Sequence, residues 1–276
     1  MGITPGYRAQ EALTGKMPMT ASISVETPQA HEFEVRRVPL RQPIKWLDRG
    51  WDDLKKIGMP GLAHGALIAI LGGVLLMLGS THLYLTAAAV TGYLLVGPIM
   101  TTGACELARR LAAREPLGFD ESLQALTRNP DGLTHFGAVL AVIAVAWFVI
   151  SAVLWESLFA TSVPSLAVVL WGGRASATPA QILGYLICGG VLATVVFALS
   201  VVAVPLIIDR HANASEAMRA SLRAVLANLP AMLVWAFLIV GLTVIAFVTL
   251  LIGMVIVAPL LGYGTWHAYR DLIGQQ

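Results

Sequence analysis

Charge is what this 276-residue chain has least of: Asp, Glu, Lys and Arg make up 12% of it, about half of the roughly 25% usual in a soluble domain. With 57% apolar residues and a mean hydropathy of +0.75, the composition excludes an ordinary water-soluble enzyme. Its 18 Lys and Arg against 16 Asp and Glu leave a net charge of +2, too small for a nucleic-acid-binding surface. Two cysteines, Cys105 and Cys188, make no disulfide framework. A Walker loop, zinc-ligand spacing, a nucleophile elbow and paired catalytic carboxylates are all missing. The sequence therefore offers no catalytic residue, no metal site and no cofactor.

The positions of the missing charges are informative, because a charge at mid-bilayer is costly and a helical span needs about 20 apolar residues. From Ile57 to Cys105 there are 49 residues without Asp, Glu, Lys or Arg, and from Ala224 to Tyr269 there are 46. Each gap holds two helices and a tight turn. Gly132–Trp155 and Ala175–Ile208 are shorter charge-free runs of 24 and 34 residues. The expectation is an all-α polytopic membrane protein with six spans near 62–80, 83–104, 133–156, 182–208, 231–248 and 250–267. The alternative for the last pair is one long tilted helix. Six spans place 17 of the 18 Lys and Arg on one side, all but Arg174. The positive-inside bias makes that side the cytoplasm, of an inner membrane, with both termini there. Residues 1–38, rich in Gly, Pro, Ser and Thr and without a signal-peptide core, read as a disordered cytoplasmic tail preceding a 39–272 membrane domain.

The chain also repeats itself. SLQALTRN, Ser122–Asn129, aligns without gaps with SLRAVLAN, Ser221–Asn228, and a proline follows each within two residues. PIMTTGACELARRL from Pro98 and PLLGYGTWHAYRDL from Pro259 share Pro, Gly, Arg and Leu at equal offsets, while PLIIDRHANASEAM from Pro205 is a partial copy. The inferred unit is an interfacial amphipathic helix, an outgoing span and a returning span kinked by Pro98, Pro205 or Pro259. Three units, about 43–111, 119–211 and 213–272, fill the chain. In the first, IKWLDRGWDDLKKI, Ile44–Ile57, sets Trp46, Leu47, Trp51 and Leu54 on one side and Lys45, Asp52, Lys55 and Lys56 in water.

With PLIIDR, SLRAVLAN and TWHAYR in view, the chain resembles the bacterial integral membrane proteins of domain-of-unknown-function family 2189, from about Trp46 to Leu272. Tyr263 and Gly264 stand where that family commonly has His and Ala. The resemblance implies a membrane class and six helices, and no activity.

Glu106 and Arg109 lie eight and eleven residues after Pro98; His267 and Arg270 hold the same offsets after Pro259. Equal spacing from equivalent kinks would set equal depth, so Glu106, Arg109, Asp209, Arg210, His267 and Arg270 form a candidate polar cluster at the inner interface, through a Glu106–Arg270 or His267–Asp209 contact. Glu156 has only Arg174 as an outer cationic partner. His64, His82 and His135 sit near span ends but are too few at matched depth for haem. Gly72, Gly73, Gly92, Gly97, Gly184, Gly189 and Gly190 read as packing seams. The expected partners are the lipid bilayer and a membrane-associated protein docked on the basic cytoplasmic face. A transporter using the kinked helices is the alternative, and a redox or metal-binding protein the third.

Overall fold

A computed structural model of the chain describes residue 2 and residues 33–79, 83–159 and 179–274. Among them, twelve helices follow one another: α1 Gln42–Ile57, α2 Met59–Gly79, α3 Leu83–Met100, α4 Thr102–Ala113, α5 Phe119–Leu123, α6 Ala125–Arg128, α7 Pro130–Phe159, α8 Pro179–Ser200, α9 Ala203–Arg210, α10 Ala214–Ala227, α11 Leu229–Val248 and α12 Met254–Leu272. Several long helices start at prolines. Pro130 opens α7, and Pro60 and Pro230 are the second residues of α2 and α11, where the missing N–H has no helical partner to lose.

Among the described residues, five stretches are long and apolar enough to cross a membrane: Met59–Leu78, Ala88–Ala113, Pro130–Leu154, Ile182–Arg210 and Leu229–Val248. Their outward side chains form an apolar belt that includes Leu67, Ile70 and Val74 of α2, Val142, Val145 and Val149 of α7, and Phe237, Val240 and Val244 of α11. So large an exposed apolar surface suits lipid and not water. α12, expected as a sixth span, is a separate helix. It ends in His267, Tyr269, Arg270 and Asp271, and twelve of its residues are buried.

Successive long helices touch in pairs. Tyr93 Oη donates to the Ile68 carbonyl at 2.9 Å between α2 and α3. Ser151 meets Tyr185 at 2.5 Å, and the Trp147 ring covers Gly189, between α7 and α8. Ala246 abuts Gly253, and the Trp235 ring abuts Gly264, between α11 and α12. The last reversal excludes the single long helix. Leu250 and Leu251 take left-handed φ values of 51° and 66°, and the Gly253 N–H donates to Thr249 Oγ1 at 3.0 Å.

The three prolines act differently. α3 stops at Met100 just after Pro98, and α8 stops at Ser200 with Pro205 third in the restarted α9; α12 runs unbroken through Pro259. A helical proline leaves the carbonyl four residues back without its N–H. For Pro259 that carbonyl is Val255, and it faces Gly65 of α2 so closely that a Cβ there would lie 2.0 Å from the oxygen.

Close helix contacts therefore use other glycines than expected. Gly73, Gly92, Gly97, Gly184 and Gly190 face open space, since their outward positions meet only the belt. Gly72 and Gly189 do meet side chains, but the tightest approaches between helices are at Gly61, Gly65, Gly103 and Gly262.

α1 packs along α12, with Gly50 against the backbone of Leu260 and Gly264. Trp46 and Leu54 share the buried side with the half-buried Leu47, but Trp51, expected on that side, is exposed. The buried positions Trp46, Gly50, Asp53, Leu54 and Ile57 keep helical spacing, and Trp51 is about 100° off that stripe.

The described part of the tail also departs from expectation. The compact unit is Glu32–Gln276, and its first residues form an extended strap. Val35 bridges Ile273, the Arg36 N–H donates to the Leu272 carbonyl at 2.8 Å, and the Gly274 N–H donates to the Glu34 carbonyl at 3.0 Å. Residues 33–38 thus belong to the membrane domain, because their backbone groups and the buried Phe33 find partners there. The rest of the expected tail, the turn Ser80–His82 and the loop carrying Arg174 lie outside the described residues, as does the Glu156 side chain.

Candidate functional site: a polar belt at one end of the hairpins

Polar residues gather where the chain enters α2, α7 and α11. The densest group surrounds Glu106 on α4, which is fully buried. Arg109 Nε and Nη2 donate to its two oxygens at 2.9 Å each, and Arg110 Nε donates to Oε1 at 2.9 Å. Arg128 Nε lies 3.9 Å away. Arg109 reaches on to Glu115 at 2.6 and 3.0 Å, and Arg110 to Gln124 at 2.7 Å. Hydrogen bonding by Arg109 holds the Glu115 carboxyl below the usual carboxylate range.

A second group locks α1 to α12. Asp271 accepts from Gln42 Nε2 at 2.6 Å, Trp46 Nε1 at 2.8 Å and the Arg49 guanidinium at 3.1 and 3.3 Å. One turn away, His267 Nε2 and Asp53 Oδ2 are 2.7 Å apart. Burial opposes ionisation of Asp271, but the bonds from Gln42, Trp46 and Arg49 outweigh it and hold the carboxyl below its ordinary value. A lowered folded pKa stabilises the protein above the unfolded value, near pH 4, and that contribution is lost as pH falls through the folded value. Asp271→Asn should therefore lower the melting temperature at pH 7, and its deficit against the natural chain should shrink below about pH 4. A deficit that is constant down to pH 3 would contradict this role.

The repeat asparagines tie the belt together. Asn129 Oδ1 caps α7 by accepting from the Gly132 N–H at 3.0 Å, and its Nδ2 donates to the Ala212 and Ile207 carbonyls at 2.9 and 3.3 Å. Asn228 does not cap α11. It holds the strap, accepting from the Val38 N–H at 2.8 Å and donating to the Arg36 carbonyl at 3.0 Å. The repeat serines are both fully buried: Ser122 pairs with His64 and with the Phe119 carbonyl, and Ser221 donates to the Ala198 carbonyl at 2.8 Å.

The expected six-residue cluster is thus divided. Glu106 and Arg109 do meet, and Arg210 lies 3.8 Å from Asp209. Asp209 accepts from Tyr269 Oη at 2.6 Å, whereas His267 pairs with Asp53. Arg270 is exposed and its guanidinium lies 5.9 Å from the Trp266 ring centre, so neither the Glu106–Arg270 nor the His267–Asp209 contact forms. Equal offsets fail because α3 breaks at Thr101 and restarts as α4, while α12 is continuous, so the two segments present different faces. In the middle copy the chain turns at His211, φ 52°, and the offset residues Asn213 and Glu216 start α10.

Asp53, Asp271, Arg110, Glu115 and Arg128 were not singled out from the sequence. Asp53 was findable, since it shares the helical stripe of Trp46 and Gly50. His64, His135 and His267 have separate partners, namely Ser122, the Asp131 carbonyl and Asp53. Among the described residues no three His, Cys, Asp or Glu lie together as a metal site.

Apolar spans, a lipid-facing belt and a polar end whose buried charges are paired define an integral membrane protein. Residues 85–209 match the family described as predicted integral membrane protein (DUF2189). The family resemblance is thereby shown over that stretch, shorter than the Trp46–Leu272 expected, and the TWHAYR segment lies beyond it. No curated protein and no solved structure matches the chain.

Proposed function

We propose that the protein is a non-enzymatic scaffold of the inner membrane: six spans in three repeated hairpins, both termini cytoplasmic, and a basic cytoplasmic face on which another membrane-associated protein assembles. The observation that carries this reading is the outward side of α1 and its lead-in. Arg37, Arg41 and Lys45 are exposed there and have no acidic partner among the described residues, and Leu40, Ile44 and Trp51 are exposed beside them. Elsewhere on the belt Glu106, Glu115, Asp53, Asp209 and Asp271 are all engaged. Basic residues beside exposed aromatics suit an acidic partner at headgroup depth.

A photo-crosslinking residue in place of Trp51 should give a discrete protein adduct in living cells, and Arg41→Glu with Lys45→Glu should abolish it. Crosslinking to lipid alone would overturn the reading. The breaks at Thr101 and at Val201–Val202 in the returning helices favour a second reading, a small-molecule or ion transporter, because interrupted helices line transporter substrate sites.

A further inference from the structure

A cleft of about 740 Å³ opens sideways between the start of α7 and the α9–α10 turn. Its walls are fixed, since Asn129 Nδ2 holds the Ile207 and Ala212 carbonyls and Arg128 Nε donates to the Ile208 carbonyl at 2.9 Å. One end is polar, with Asp131, His135, His211, Asn213 and Ser215; the other is apolar, with Ala138, Val139, Val142, Ile143 and Met218. The apolar end runs into the exposed belt of α7 at Val142, Val145 and Val149. From Asp131 to Ala138 the helix rises about 10 Å, comparable to the step from headgroup to acyl chain.

We propose that this cleft binds a phospholipid with a primary ammonium headgroup. Its chain lies along Val139 and Val142 and its ammonium on Asp131. Charge decides the headgroup. Among the described residues Asp131 is the only Asp, Glu, Lys or Arg lining the cleft, and its carboxylate disfavours an anionic lipid. The Asp131 carboxylate and the His211 ring have no hydrogen-bond or ion-pair partner among the described residues. His211 and the first N–H groups of α10 suit the phosphate. A primary ammonium can donate to the Asp131 carboxylate, whereas a quaternary choline presents no donor. The cleft shares no lining residue with the α1 face of the scaffold reading, and the proposal stands without that reading.

The test is native mass spectrometry of the full chain from detergent supplied with dioleoyl phosphatidylethanolamine, phosphatidylcholine or phosphatidylglycerol at equal concentration. The expected result is a one-lipid adduct with phosphatidylethanolamine, retained at least about tenfold better than the other two. Asp131→Asn, an exposed position that should not disturb folding, removes that preference, and Ala138→Trp, which fills the apolar end, removes the adduct. Equal retention of the three lipids by the natural chain, or an unchanged preference in Asp131→Asn, would overturn the proposal.

Discussion

Glu106→Gln should lower stability in detergent by about 3–5 kcal/mol, the loss seen when one member of a buried ionic group is removed. Arg109 and Arg110 are each 9% exposed and share this carboxylate, so the substitution leaves two guanidinium groups facing a neutral amide. Arg109 keeps Glu115 at 2.6 and 3.0 Å, whereas Arg110 keeps Gln124, the Pro116 carbonyl and a longer ion pair to Glu115 at 3.8 Å. Arg110→Gln in the Glu106→Gln background should therefore cost less than the two single losses added. Chemical denaturation of the purified variants reads both values. A loss below about 1 kcal/mol for Glu106→Gln would show that the network contributes little to holding α4 against α5 and α6.

A comparable loss, about 3 kcal/mol or more, is expected for Gly65→Ala, at the upper end of what overpacking costs. The new Cβ would meet the oxygen, carbonyl carbon and Cα of Val255 at 2.0, 2.6 and 2.7 Å. All three are backbone atoms, so no rotamer change relieves the clash and α2 must separate from α12. Gly73→Ala, eight residues along the same helix and facing open space, is the control. There the better helix propensity of alanine should leave stability unchanged or raise it by up to about 1 kcal/mol. Equal effects at the two positions would contradict the packing of α2 on α12.

The long helices were legible because charge-free length and proline punctuation are local properties of the chain. The reversal at Thr249–Gly253 was harder to read, since no Asp, Asn or Pro marks it and two leucines take left-handed backbone angles. The partnership of Glu106 with Arg109 and Arg110 follows from three- and four-residue spacing on one helix. The Asp271–Arg49 and His267–Asp53 contacts span more than 200 residues, and they depend on how α1 is laid against α12. Offsets counted along the chain carry no such information once a helix breaks, which is why Arg270 was placed beside Glu106. The strap at 33–38 was illegible for a related reason: its order comes from Asn228 and the edge at Ile273, not from its own composition.

Topology is the most direct test of the account, because the six spans we propose would return the chain to the cytoplasm after α12. Alkaline phosphatase fused after Gln276 should be inactive and a fluorescent protein fused there bright, with the opposite pair of results for reporters placed at Gly173. A strongly active phosphatase after Gln276 would mean that α12 ends on the other side, and it would contradict the six-span scaffold.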